Sequence, residues 1–221
     1  MPPLSRPDGR STATRARILN AAGELFADKG YGDTTVRDIC ARARVNLASV
    51  NYHFRGKEKL LAEVARHGFE TMHAKYAVDH KLAGLTDPNR RLRQFIWNML
   101  APRHDPELPG WFPDFMARNF QFAHAHVRPL MLRHKAAALA VLTDIVTGLM
   151  DASRDGYIVR LAAASVMGVV FYHMRPHPEP GGRFPEVKGP RDLERFIDSV
   201  YAFALGGIAG LRHPELRSSP S

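Results

Sequence analysis

With 221 residues, 45% of them hydrophobic and 24% charged, the chain has ordinary globular composition and length for one large domain or two small ones. A single cysteine, Cys40, excludes an internal disulfide and points to a reducing compartment; the N-terminus has no apolar stretch of the signal-peptide kind, and nowhere do 18 apolar residues run uninterrupted, so no membrane span is expected and the location expected is cytoplasmic. The formal net charge is +9, and residues 1–57 hold ten Lys/Arg against five Asp/Glu, a net +5 in about a quarter of the chain, which is the footprint of a nucleic-acid binder or simply a basic soluble surface.

Residues 1–11 are rich in Pro, Arg and Gly and are expected to be a disordered arm; Arg6 and Arg10 could lie along phosphates or trail in solvent. Thr12 or Thr14 can cap a first helix running to Lys29 and stopping at Gly30, with Ile18, Ala21, Ala22, Leu25 and Phe26 as its buried stripe. Gly32 and Asp33 read as a turn, and Thr34 as the cap of a second helix whose stripe is Val36, Ile39 and Cys40. The stripe position makes Cys40 core packing rather than a redox sensor. Residues 41–44 interrupt the pattern, and Asn46 is a good cap for a third helix over residues 47–53. That helix buries Val50 and Phe54 and leaves Leu47, Ala48, Ser49, Asn51, Tyr52 and His53 for a partner. At ~1.5 Å per residue it is about 11 Å long, comparable to the ~12 Å width of a B-DNA major groove. The reading is a helix-turn-helix, and its candidate DNA-binding residues are Thr35, Arg37, Asn46, Leu47, Ala48, Ser49, Asn51, Tyr52, His53 and Lys57. Lys57 opens the next helix, against the helix dipole, and a DNA phosphate is a sensible reason for it.

That fourth helix carries Leu61, Val64, Phe69, Met72 and Tyr76 to about His80, long enough to leave the head and enter a second domain. Asp87 and Pro88 open another, with Leu92, Phe95, Ile96, Met99 and Leu100 on one side. Residues 101–110 contain three prolines and must be loop. Residues 111–125 are densely aromatic, residues 129–152 and 160–175 are helical, residues 176–190 form a connector with five prolines and three glycines, and a last helix spans residues 191–211. The fold class is all-α, about nine helices: a head over residues 1–56 and a helical domain over residues 57–221 for ligand binding and dimerisation.

The run T-V-R-D-I-C-A-R-A-R-V-N-L-A-S-V-N-Y-H-F-R-G-K-E-K-L resembles the signature of the TetR family of transcriptional repressors. Thr35, Ile39, Ala43, Val45, His53, Phe54, Lys57, Glu58 and Leu60 sit where the pattern expects them, while Arg44 replaces the turn glycine and Asn51 the tyrosine that usually touches phosphate. Residues 46–54, with Tyr172, His173, Arg175 and Pro176, resemble the CecR (CerR-like) sub-branch. The resemblance implies a homodimer on a palindromic double-stranded operator, released by a small-molecule effector, with no cofactor and no membrane partner.

An apolar cavity with a few polar groups is expected in the second domain. Its candidate lining is Phe95, Trp97, Met99, Trp111, Phe115, Met116, Phe120, Met131, Met167 and Tyr172, with Arg118, Asn119 and His124 as polar contacts; the alternative is plain core. Ala163, Val166, Val170, Leu193, Ile197, Val200, Ala204 and Ile208 are the candidate dimer interface, or else intrachain packing. Eleven histidines do not make a metal site, because His124 and His126 are two apart on a helix and Pro176 separates His173 from His177. Neither a nucleophile elbow, a zinc-protease helix nor a phosphate loop occurs, which speaks against an enzyme. A nonspecific chromatin-like binder would not need the long apolar second half.

Overall fold

The computed structural model describes residues 9–122, 124–150, 155–174 and 187–211, and of residues 120–122 the backbone alone. The expected arm at residues 1–8, the side chain of Phe120, most of the proline-rich connector, and Arg175, Pro176 and His177 lie outside the described residues. Among the described residues there is no strand. The helices are α1 (Gly9–Asp28), α2 (Gly30–Asp33), α3 (Val36–Ala43), α4 (Leu47–Phe54), α5 (Lys57–Tyr76), α6 (Pro88–Leu100), α7 (Phe112–Phe122), α8 (Arg128–Leu149), α9 (Gly156–Met174) and α10 (Pro190–Gly210), with a 3₁₀ turn at Ala101–His104. The fold is all-α as expected, and α2 is a single turn where a non-helical turn was expected. Residues 9–11 belong to α1, not to an arm.

Two compact units divide the chain, one made of residues 1–71 and 107–132, the other of residues 72–106 and 133–221. The boundary expected at residue 56 falls inside the first of these units. The first part of α5 and the whole of α7 pack with the helix-turn-helix.

In the first unit, α1, α3 and α4 contact one another around Ile18, Ala22, Phe26, Ile39, Val50 and Phe54, all buried. The aromatic helix α7 contacts α1, and one glycine on α1 and one on α5 make room for the rings at its start. A Cβ on Gly23 would stand 2.4 Å from the Trp111 ring, and one on Gly68 would stand 2.2 Å from the Phe112 ring, so each ring occupies the place of a missing side chain. Phe112 also meets Phe69 edge-to-face at 5.4 Å. Arg118 closes the seam by donating to the carbonyls of Ala27 and Asp28 at 3.0 and 2.7 Å, satisfying the open C-terminus of α1.

The second unit is built on α6, α9 and α10, which contact one another around Phe95, Ile96, Met99, Val166, Val170, Ile197, Val200 and Ala204. Asp87 caps α6 by accepting from the Asn89 N–H at 3.0 Å. The buried amide of Asn98 donates to the His80 carbonyl at 2.8 Å, so the stretch expected to be the end of α5 is instead a turn held to α6. The helix α9 is long and apolar enough by length and composition to cross a membrane, although its apolar run is interrupted in the sequence. Val159, Ala162, Ala163, Val166, Met167 and Val170 place one of its faces in the core of this unit, as in a core helix. In the same unit the His73 and His134 rings stack, with Nε2 of His73 3.1 Å from Nδ1 of His134.

Burial, reinforced by neighbouring His73, pushes the buried His134 down to about 4, and burial also lowers His73. A histidine depressed in the folded state is protonated first in the unfolded state, so its contribution is full above ~6.5 and is lost as pH falls from there toward 4. Urea unfolding at a series of pH values is expected to show stability falling over this window by up to about 1.4 kcal/mol per pH unit, with a flatter profile for His134→Leu. Gly23→Ala and Gly68→Ala are each expected to destabilise the chain by ~1–3 kcal/mol through overpacking, read as a lowered melting temperature, whereas Gly84→Ala, with open space around it, leaves melting unchanged.

Candidate nucleic-acid interface

The site is set by which face of α4 the head hides. Val50 and Phe54, one turn apart, are buried, and they turn Leu47, Ala48, Asn51 and Tyr52 outward. Tyr52 is 80% exposed and Leu47 52% exposed, unusual for residues of their size. Ser49 and His53 are half-buried at the edges of the same face. No residue of α4 is acidic, so nothing on this face repels phosphate.

Local chemistry fixes both ends of the helix. Asn46 is the N-cap, its Oδ1 accepting from the Ser49 N–H and from the Ser49 hydroxyl, each at 2.9 Å. Arg44 ends α3 in the left-handed region at φ 53°, ψ 52°, donating its N–H to the Ala41 carbonyl. Arginine thus takes over the geometry usually given to glycine, at a cost of roughly 1–2 kcal/mol. Arg55 ends α4 in the same way at φ 56°. The Arg15 guanidinium lies 5.2 Å from the Phe54 ring centroid and pairs with Glu63 on α5, fastening α1, α4 and α5 at one point.

The expected cap of α3 is displaced by one residue. Thr35 is the cap: its hydroxyl oxygen accepts from the Asp38 N–H at 3.1 Å while its own N–H donates to the Asp38 carboxylate at 3.0 Å. Thr34 is buried, and its hydroxyl donates to the Gly30 carbonyl at 2.7 Å. The N–H of Thr35, a candidate DNA-binding residue, is therefore engaged within the chain. The Thr35 N–H first, and then the Thr35 hydroxyl, hold the Asp38 carboxyl below the usual carboxylate range. Arg37 is exposed on α3. Lys57 stands 4.1 Å over the Tyr31 ring and donates to the Gly32 carbonyl at 3.4 Å, so its ammonium is anchored at the turn before α3. Glu58 next to it raises the Tyr31 phenol further, after burial. Burial likewise raises the Cys40 thiol, which disfavours thiolate chemistry there. Neither Arg15 nor Tyr31 carries a sequence signal for these roles, because their partners come from distant turns of the chain.

The candidate cavity residues do not come together as expected. Trp111, Phe115, Met116, Asn119 and Met131 are buried in the first unit, Arg118 is the clamp on α1, and His124 packs on Tyr31 with centroids 4.3 Å apart. Phe95, Met99 and Met167 are core of the second unit, with Trp97 packed half-buried against it. Tyr172 lies on a surface groove of about 850 Å³ between α9 and α10, beside Gly168, Arg195, Phe196, Ser199 and Phe203. The stripes were real, but two different cores absorb them.

The candidate dimer residues take the intrachain packing that was their alternative. Ala163, Val166, Val170, Ile197, Val200, Ala204 and Ile208 are buried within their own chain, and Leu193 packs against that core. The outward face of α9 and α10 carries Tyr157, Leu161, Tyr172 and Phe203 instead, all exposed. Among the described residues no group of three or more His, Cys, Asp or Glu could hold a metal ion.

Residues 18–64 match the family described as "Bacterial regulatory proteins, tetR family", and residues 88–208 match the "HTH-type transcriptional dual regulator CecR, C-terminal domain". The HTH-type transcriptional repressor Rv1474c of Mycobacterium tuberculosis is 28% identical over 174 residues, 74% of this chain and 89% of that protein. The HTH-type transcriptional repressor KstR2 of Rhodococcus jostii is 36% identical over 75 residues, 34% of this chain and 36% of that protein. Among solved structures, FadR of Bacillus subtilis in complex with stearoyl-CoA is similar with a TM-score of 0.62 at 18% identity, covering 87% of this chain and 98% of that one. AibR in complex with isovaleryl coenzyme A and operator DNA is similar with a TM-score of 0.63 at 18% identity, covering 87% and 96%.

Asn46→Ala is expected to destabilise the head by ~1 kcal/mol through loss of the cap, seen as a lower denaturant midpoint, while Asn46→Asp keeps most of the stability.

Proposed function

The chain belongs to the TetR family of bacterial transcriptional regulators, with a C-terminal domain of the CecR type, and from that premise we propose that it is a repressor that binds a palindromic operator as a homodimer and is released by a small apolar ligand. The observation that carries the reading is the uncovered, acid-free outer face of α4. A helix of this length fits a major groove end to end. Leu47, Ala48, Asn51 and Tyr52 meet base edges and sugars; Asn51 has the bidentate geometry that suits adenine. Thr35, Arg37, Ser49, His53 and Lys57 serve backbone contacts, with Asn46 holding the helix in register.

A second copy covers the outward face of α9 and α10. Support comes from Phe203, 68% exposed, and from the concentration of large apolar residues on that face beside Ser165 and Gly168, which allow close helix approach. Two-fold pairing then presents two recognition helices to two half-sites. As to the ligand, the similar AibR and FadR structures are complexes with acyl-coenzyme A thioesters, which makes acyl-CoA the first class to test for operator release.

Selection of bound fragments from random duplex DNA is expected to return inverted half-sites, bound ~10³-fold or more tightly than random sequence. Asn51→Ala is expected to relax the preference at one base pair of each half-site by ~1–3 kcal/mol, whereas Lys57→Ala weakens binding to all sequences alike. Enrichment of no sequence, or of one asymmetric site, would overturn the dimeric-repressor reading.

A further inference from the structure

We propose that Arg44 and Arg55 are a pair of phosphate-binding residues that bracket the recognition helix, a proposal that rests on the operator-binding reading above. Arg44 stands three residues before the first residue of α4, and Arg55 follows its last. Both hold positive φ, which L side chains avoid and glycine accepts freely; among the described residues the third non-glycine residue to do so, Lys81, is in a turn of the second unit. Glycine would close both helices without strain, and the chain places a guanidinium at each position instead. Strain kept at two cations around one exposed helix points to a task for the charge.

The task is not an internal one. Arg15, Arg42 and Arg66 in the same unit pair with Glu63, Glu24 and Glu70, and Arg118 holds backbone carbonyls. Arg44 and Arg55 are exposed, and among the described residues neither side chain has a hydrogen bond or an ion pair. Packing does not require them, and among the described residues no carboxylate neutralises them. A helix of about 12 Å laid in a groove about 12 Å wide brings its two ends to the two phosphate walls. Guanidinium suits that position, since it offers paired donors to phosphate oxygens and gives up hydration more readily than ammonium.

The test uses the full chain carrying Arg44→Gly, Arg55→Gly or both, with Arg44→Lys as a charge-keeping control. Melting temperature is measured beside affinity for a duplex selected by the wild-type protein, over a range of KCl concentrations. Each glycine variant is expected to melt at or above the wild-type temperature while binding several-fold more weakly. The slope of log K against log salt should fall by ~0.9 for each single variant and by about twice that for the double, with the lysine control keeping the wild-type slope. Opposite signs for stability and binding are what a cap without a DNA role could not produce. Unchanged slope and affinity in both glycine variants, or a lowered melting temperature in both, would overturn the proposal. A wild-type protein that selects no duplex and shows no salt-dependent binding would instead remove the operator-binding reading, and this proposal with it.

Discussion

The packing of Val50 and Phe54 against α1 and α3 is the constraint from which the rest of the head follows. Two side chains one turn apart are enough to fix the rotation of a short helix about its axis. Once they are hidden, the identity of the residues available to a partner is settled. The remaining devices protect that choice: Asn46 fixes where the helix begins, Arg55 where it stops, and Arg15 ties the hidden edge to α5. An eight-residue helix could not hold itself in water, because nucleation is too costly at that length, so its order is borrowed from α1, α3 and α5.

The aromatic helix α7 has the same logic with larger side chains. Trp111 and Phe112 reach the backbones of α1 and α5 because Gly23 and Gly68 have no side chain to keep them away. Ring against backbone is close packing of the kind that tolerates little displacement. The Arg118 bonds to Ala27 and Asp28 work on the same seam from the polar side, and they use carbonyls that the end of α1 would otherwise leave to water.

Much of this was legible in the order of residues, and the limits have physical causes. Helix periodicity and the Asn46 cap placed α4 almost residue by residue, because both signals are local. Thr34 and Thr35 were exchanged because either can cap a helix, and the choice fell to the carbonyl of Gly30 that the buried Thr34 satisfies. The aromatic stripe around Trp111 and the seam in α10 identified side chains that leave water, yet a stripe does not name the surface it leaves water against. Trp111 went to a hollow in α1 rather than a ligand cavity. Ile197, Val200 and Ala204 went to α6 and α9 of their own chain, leaving Phe203 on the other side of the same helix outward.

The seating of Trp111 over Gly23 bears on how such regulators can be recombined. A head defined by the helix-turn-helix signature alone would carry away the hollow and leave behind the ring that fills it. Grafted onto the remainder of a relative, it would present an apolar dent to whatever side chain the new host supplies. Exchange of DNA specificity is thus simpler by resurfacing α4 in place than by transplanting the segment as a cassette. Lineages that do shuffle the two halves should show paired changes at the glycine and at the aromatic, far apart in sequence and adjacent in space.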